Sequence, residues 1–155
     1  MAKIPTNTVR KISTTFQKRL LDLMNEFGYN NSTLAKAVKI STPVITRATI
    51  YGIIPSVLML IKLADHFNVS IAYLLGDSDS EVFNKSDGSE NFHTRLEALT
   101  KKRKTTYAKI AASMPFTKNY FYEWQREKTL PSLEYLQAIA DYFEESIDYL
   151  LGRED

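Results

Sequence analysis

Cysteine is absent from the 155 residues of this chain, and histidine occurs only twice, at His66 and His93. The absence of cysteine excludes disulfides, thiolate zinc sites and a cysteine nucleophile, and it fits the reducing cytoplasm. Two isolated histidines do not predict a metal site. The longest apolar stretch, residues 53–63, is interrupted by proline, serine and lysine and is too short to span a membrane. We therefore expect a cytoplasmic protein that binds no metal, and the basic first residues do not resemble an export signal.

Glycine is also scarce, because the chain has only five glycines and they form no phosphate-binding loop. No two carboxylates have a spacing that suggests acid–base catalysis, since the adjacent Glu144 and Glu145 would point apart on a helix. We therefore predict no catalytic residues and no cofactor, so that an enzyme is disfavoured. The composition is otherwise that of a globular protein, with 44% hydrophobic and 25% charged residues.

An internal repeat dominates the sequence. Residues 16–79 align with residues 92–155 without a gap and share 18 identities in 64 positions, where composition alone gives roughly four. The best-matched stretch pairs residues 64–76 with residues 140–152. The period of 76 residues exceeds that of solenoid repeats, which favours two small domains. We divide the chain into a basic N-terminal arm (1–12), a first domain (13–76), a polar linker (77–91) and a second domain (92–155).

The apolar residues of each copy have helical spacing, and no window of alternating residues predicts a strand. The first helix has an apolar stripe that ends before Gly28, and it comprises Phe16, Leu20, Leu23, Met24 and Phe27. Five helices are predicted in each copy, so the fold class is all-α, with ten helices in two bundles. The candidate helix caps are Ser41 or Thr42, Ser56 and Ser70 in the first copy, and Thr106, Thr117, Ser132 and Ser146 in the second.

Charge is distributed unevenly, although the net charge is only +2. Residues 1–62 carry nine basic and two acidic residues (+7), and residues 63–91 carry one basic and six acidic residues (−5). The second copy repeats this asymmetry, with +6 for residues 101–128 and −6 for residues 129–155. The first three helices of each copy are therefore expected to present the positive potential that a phosphate-binding surface needs. The alternative is that the basic runs only solvate helix ends and loops.

The second copy resembles the helix-turn-helix domains of the phage-repressor, or xenobiotic-response-element, family of Cro and repressor type. The resemblance is carried by Ile110-Ala111, by residues 121–127 and 130–133, by Leu136 and Ile139-Ala140, and by the ending from Ser146 to Gly152. It implies two tandem five-helix domains of the lambda-repressor type. It also implies that the third helix of such a domain lies in the major groove of DNA while the second helix crosses the backbone.

Carried over by position, the resemblance assigns base contacts in the second copy to Lys118, Asn119 and Tyr122. Helical geometry adds Arg126 to this exposed face, provided that Phe121 and Trp124 face the core. The phosphate contacts in this copy are expected from Tyr107, Lys109, Lys128 and Thr129. Two acidic residues, Glu123 and Glu127, depart from the family pattern on the same helix.

In the first copy the same alignment assigns base contacts to Thr42, Thr46 and Arg47 and backbone contacts to Asn31 and Lys36. Arg47 is the best single candidate for reading a base. This copy departs from the family after its third helix, where four large apolar residues follow: Ile50, Tyr51, Ile53 and Ile54. Such residues are poor phosphate ligands and suit a protein contact or additional core.

Two functional hypotheses follow. The leading one is a sequence-specific regulator of transcription that binds double-stranded DNA, a repressor of bacterial or phage type by the resemblance, whose tandem copies contact two half-sites as a dimer would. The alternative is a protein-interaction module, antitoxin-like or an anti-repressor partner, in which the first copy binds protein or a second copy of the chain through residues 50–54. Substitutions at Lys118 and Asn119 would separate the two hypotheses, since only DNA binding requires those side chains.

Overall fold

A computed structural model describes residues 11–155, which contain ten helices and two isolated β-bridges but no strand. The all-α prediction is therefore confirmed for the described part of the chain. Most of the predicted basic arm, residues 1–10, lies outside the described residues. The chain divides into two compact units, the first ending at Glu81 and the second beginning at Val82. This division falls inside the stretch 77–91 that the sequence predicts as a linker.

The first unit packs five helices around one apolar core. They are α1 (Thr14–Phe27), α2 (Asn31–Val38), α3 (Thr42–Tyr51), α4 (Val57–Phe67) and α5 (Ile71–Leu75). Helix α3 packs against α1 and α2, and α5 packs against α1 and α4. The predicted stripe of α1 is buried at Phe16, Leu20, Leu23 and Met24. Phe27 was wrongly assigned to it, because it is the last residue of α1 and remains 54% exposed where the left-handed Gly28 turns the chain away.

The second unit contains five further helices. They are α6 (Phe92–Lys102), α7 (Tyr107–Ala111), α8 (Asn119–Glu127), α9 (Leu133–Phe143) and α10 (Ile147–Leu150). Helix α7 is three residues shorter than α2, since five residues form α7 and eight form α2. The residues by which α7 is shorter belong to the connection between α7 and α8. Phe116 lies in this connection and is buried. Phe121 and Trp124 are buried as predicted, which directs the opposite face of α8 to solvent.

Most predicted caps are confirmed by the hydrogen bonds of the helix starts. The side chains of Ser56, Ser70, Thr106, Ser132 and Ser146 each accept a bond from the backbone N–H three residues later. The cap at Ser41 lacks this side-chain bond, and Pro43 in the first turn of α3 has no N–H to satisfy. The Thr117 cap was wrong, because α8 is preceded by Lys118 in a helical conformation without a side-chain cap.

An arginine of the first helix ties the end of each unit to that helix, and it is half-buried in the first unit and buried in the second. The guanidinium of Arg19 bonds to the carbonyl oxygens of Tyr73 and Ser78 and lies 4.3 Å from the Tyr73 ring centre. The residues 76 positions later repeat the arrangement: Arg95 donates to the carbonyls of Tyr149 and Glu154 at 2.8 and 3.0 Å and lies 4.1 Å from the Tyr149 ring centre.

The stretch predicted as a linker is hydrogen-bonded to both units. Asp79 pairs with Arg19 at 3.0 Å in the first unit. Within the second unit, the Asp155 amide donates to the Asn84 carbonyl at 2.9 Å, and Ser86 donates to the Gly152 carbonyl. Residues at both ends of 77–91 are thus part of the units they adjoin.

Candidate nucleic-acid interface

In the first unit, α2 and α3 are joined by a tight turn that is fixed by its backbone. Lys39 ends α2 in the left-handed conformation with φ 58°, and Ile40 is buried behind it. Ile45 and Ala48 then face the core. Because these residues fix the rotation of α3, the predicted base-reading residues Thr42 and Arg47 are exposed, and Thr46 is half-buried at the edge of the same face.

The exposed face of α3 is positive and contains no acid. Residues 31–51 include no aspartate or glutamate, and their charges come from Lys36, Lys39 and Arg47, all exposed. Within residues 11–155 no ion pair or hydrogen bond engages the Arg47 guanidinium. Its five N–H donors are therefore free for an external acceptor, such as the pair of acceptors on the guanine edge.

Asn31 begins α2 and is held by a residue of α3 that the sequence analysis missed. The hydroxyl of Thr49 lies 3.1 Å from Asn31 Oδ1 and 3.3 Å from the Thr46 carbonyl oxygen, and the shorter of the two contacts uses Oδ1 as the acceptor. The amide nitrogen of Asn31 keeps two donors that make no hydrogen bond within the described residues, as a phosphate contact requires. Thr49 itself is buried.

In the second unit, the predicted face of α8 is exposed at Asn119, Tyr122 and Arg126. Glu123 is exposed on the same helix, and Lys118 is exposed directly before it. Arg126 is not free, because its Nε lies 3.2 Å from the carboxylate of Glu127. The face that aligns with the positive face of α3 thus carries both signs of charge.

Tyr107 begins α7, the position equivalent to Asn31, and is fixed by three neighbours on α8. Its ring stacks on Phe121 with centres 4.9 Å apart and meets Tyr122 edge to face at 5.3 Å. Its hydroxyl oxygen accepts a bond from Gln125 Nε2 at 3.2 Å, so the hydroxyl proton is left to donate outward. Burial is the main cause that raises the pKa of Tyr107, and the bond from Gln125 opposes it.

Gln125 was also missed by the sequence analysis. Its amide nitrogen donates both to Tyr107 and to the His93 carbonyl, at 3.2 and 3.0 Å. Its Oε1 is buried without a hydrogen-bond partner among the described residues. Gln125 aligns with Thr49, so both copies have a polar residue at the same core position. This shared polarity was the sequence signal that could have identified the two residues.

Three further predicted phosphate ligands, Lys109, Lys128 and Thr129, are exposed in the second unit. The Thr129 carbonyl accepts a bond from the His93 ring at 2.8 Å, which fixes the backbone after α8. No aspartate or glutamate lies within 4.0 Å of the Lys109 or Lys128 ammonium group among residues 11–155.

The apolar residues predicted to follow α3 in fact begin within it, because α3 ends at Tyr51, and they are only partly exposed. Ile50 and Tyr51 are 57% and 62% exposed, whereas Ile53 and Ile54 are half-buried. They are half-buried because Ile53 forms an isolated bridge with Ile12, and the Ile54 amide donates to the Lys11 carbonyl at 2.9 Å. The free apolar surface of this segment is therefore centred on the end of α3.

Within residues 11–155 no helix has the length and apolarity that crossing a bilayer demands. In the same part of the chain, no group of three or more histidine, aspartate or glutamate side chains is arranged to hold a metal ion.

Residues 20–74 match the model of a helix-turn-helix family of the Cro/C1 type. The match runs from α1 to α5 of the first unit, whereas the residues that suggested the resemblance lie in the second. No curated protein and no solved structure gives a significant match to the chain. The match supports the family for the first unit, and the family is one of DNA-binding regulators.

Proposed function

We propose that the chain is a sequence-specific regulator of transcription that binds double-stranded DNA, with α3 of the first unit in the major groove. The observation that carries the proposal is the exposed face of α3, which is free of acid and presents an unpaired Arg47. The match to a DNA-binding family over residues 20–74 supports it independently.

The groups of the first unit divide into two kinds of contact. Arg47 suits the two acceptors of guanine, and Thr42 and Thr46 suit shorter contacts to neighbouring base edges. Asn31 and Lys36 would bind phosphates on either side and fix the register of α3 without reading sequence. Phosphate neutralisation would then supply most of the affinity, and the affinity would fall with salt.

We propose further that the second unit is a tandem copy of the first. The repeated arginine contacts of Arg19 and Arg95 support this, as do the 18 identities in 64 aligned positions. In such a copy α8 would face the duplex as α3 does. Its candidate contacts are Lys118, Asn119, Tyr122 and Arg126 near the bases and Tyr107, Lys109, Lys128 and Thr129 near phosphates.

A repressor is the form of regulation that the family resemblance implies. Two linked domains would occupy two neighbouring half-sites of one operator, as the two protomers of a dimer do. An operator occupied in this way is unavailable to the polymerase. By the family resemblance, such a regulator would be bacterial or phage-encoded and would act in the cytoplasm without a cofactor.

The proposal is tested by selecting binding sites for the full chain from a library of random duplexes. Enrichment of a motif is the expected result, and Arg47→Ala should then lower the preference for that motif over scrambled duplex by about 5- to 150-fold. Lys18→Ala, which removes an exposed charge from α1, is the matched control and should preserve the preference. Failure to enrich any motif, with the chain folded, would overturn the proposal.

The exposed pair Ile50 and Tyr51 favours a second candidate function, a contact with protein at the end of α3. Replacing both with serine should leave the fold intact because both side chains lie at the surface. If the pair joins two copies of the chain, sedimentation should show a dimer that the double variant converts to monomer. A monomer at all accessible concentrations would remove the case for self-association.

A further inference from the structure

We infer that the second unit grips the phosphate backbone without reading sequence, so that base choice resides in α3 of the first unit. The inference rests on the proposed DNA-binding function, and for α8 it replaces the candidate base contacts with phosphate contacts alone. It is carried by three differences between aligned positions of the repeat: in the sign of charge, in side-chain size, and in lysines that replace uncharged or acidic residues.

The first difference is the sign of charge on the helix that faces the duplex. Arg47 of α3 aligns with Glu123 of α8, and both are exposed. Arg126, the basic residue of α8 itself, is paired with Glu127 at 3.2 Å. A carboxylate among phosphates is repelled, and the cytosine amino group is its one favourable base partner. The face of α8 is therefore poorly suited to approach base edges.

The second difference is the size of the side chains on that helix. Val44 and Thr46 of α3 align with Tyr120 and Tyr122 of α8, which are 41% and 51% exposed. A helix with its side chains is about as wide as the major groove, roughly 12 Å. Tyr120 lies against Trp124 and Tyr135, but Tyr122 is on the exposed face and, in place of threonine, would hold the axis of α8 farther from the bases than the axis of α3.

The third difference is a set of lysines that surround α7 and α8. Lys102, Lys104, Lys109, Lys118 and Lys128 are exposed, and no acid lies within ion-pair distance of them among the described residues. Of the basic run at the end of α6, Lys101 does have such a neighbour, Glu97 at 3.8 Å. Lysine is a point charge without the fork of arginine and suits a phosphate better than a base pair.

Two of these lysines occupy backbone positions where the first unit has glycine. Lys104 and Lys128 have φ of 52° and 57°, and they align with Gly28 and Gly52, with φ of 76° and 70°. A side chain is strained in this left-handed region, and glycine is the residue that avoids the strain. Asn68 and Glu144 share this conformation at another aligned pair, so positive φ alone is not the signal.

What distinguishes the two positions of Lys104 and Lys128 is that lysine replaces the glycine of the first unit at both. Lys104 precedes α7 and Lys128 follows α8, and Tyr107 joins these two helices through Tyr122 and Gln125. One cation thus stands in the connection before α7 and the other directly after α8. Backbone strain at a lysine costs folding free energy, and a surface residue that keeps such strain is explained when its side chain binds a ligand. Here the ligand would be the phosphates of a duplex.

The test is the double variant Lys104→Gly and Lys128→Gly in the full chain. Thermal unfolding followed by the fluorescence of Trp124, the single tryptophan, should show a stability equal to or above that of the wild type, since the strain is relieved. Affinity should fall about tenfold, equally for the motif selected by the wild type and for a scrambled duplex. The slope of log affinity against log salt should become shallower by about two.

A second double variant, Lys104→Gln and Lys128→Gln, keeps the backbone strain and should lose the same affinity without gaining stability. The inference is overturned if either double variant lowers the preference for the selected motif, or if affinity and salt slope are unchanged. Both outcomes leave DNA binding by the first unit standing. Failure of the wild-type chain to bind any duplex would instead overturn the proposed function itself.

Discussion

Thr49 directs its hydroxyl at the Oδ1 of Asn31, 3.1 Å away, and so joins the inner side of α3 to the first residue of α2. In the second unit, Gln125 and Tyr107 occupy the equivalent positions and are joined by a bond of 3.2 Å. In both pairs the residue at the start of the second helix uses an oxygen as the acceptor. Its own donors are thereby left for solvent or for a phosphate.

Thr49→Val tests whether this contact orients Asn31 for binding. Valine preserves the shape of the buried side chain but cannot donate to Oδ1, so the amide of Asn31 becomes free to rotate. We expect the affinity for duplex to fall roughly two- to tenfold, as the loss of one oriented hydrogen bond predicts. The preference between sequences should not change, because Asn31 faces phosphate. Duplex titrations by fluorescence anisotropy measure both quantities.

Thr49→Ser is the matched control, since serine keeps the hydroxyl and should retain most of the affinity. Circular dichroism must show the same helix content in both variants. An affinity of Thr49→Val equal to that of the wild type would show that Asn31 does not contact the duplex through this geometry.

Glu123→Gln tests the electrostatics of α8. If α8 faces the duplex, removal of the exposed carboxylate should raise the affinity for any duplex, by up to about fivefold at low salt. The gain should shrink as salt is added, because screening weakens the repulsion that the substitution removes. Glu144→Gln, at the exposed C-cap of α9, is the control and should have a smaller effect. A lower affinity of Glu123→Gln would instead indicate a direct contact, such as one to cytosine.

Apolar periodicity and turn residues were sufficient to predict the helices and most of the core. They failed at Phe27, because the last residue of a helix leaves the buried face once Gly28 turns the chain. They failed at Thr117 because the turn before α8 continues in helical conformation to Lys118. These are errors of one or two residues, where local backbone geometry rather than composition decides.

The contacts that orient the candidate site were not predictable in this way. Thr49 and Asn31 are 18 residues apart, and a polar residue such as Thr49 has the same spacing whether it faces solvent or core. Only the packing of α3 on α2 shows that its hydroxyl is buried beside an amide. The exposure of Arg47 was predictable because the apolar residues around it fix the rotation of the helix.

Arg95→Met tests how strongly the buried arginine stabilises the second unit. Arg95 is 5% exposed and donates to two carbonyl oxygens, which would lose their partner in an environment closed to water. We expect the free energy of unfolding to fall by about 3 kcal/mol. Urea unfolding followed by Trp124 fluorescence reports this unit, because that tryptophan is buried within it.

Arg19→Met is the comparison in the first unit. Its side chain is 17% exposed against 6% for Arg95, so water can replace part of the lost bonding and the expected loss is smaller. This loss should be followed by circular dichroism and should leave the Trp124 transition unchanged if the units unfold independently. Equal losses at the two positions would contradict the role given to burial.

Tyr107 predicts a dependence of stability on alkaline pH. Burial raises the pKa of Tyr107 in the folded chain, so the folded state holds the phenol proton more tightly than the unfolded state does. The resulting stability is fully present below the ordinary pKa of about 10 and is lost as pH rises through the higher folded value.

Tyr107→Phe has no such proton. The urea midpoint of the wild type, followed by Trp124 fluorescence, should therefore fall more steeply above about pH 10 than that of the variant. Tyr73 and Tyr135, whose pKa values are also raised, are present in both chains and cancel in the comparison. Parallel curves for the two chains would show that the Tyr107 hydroxyl titrates as it does in the unfolded chain.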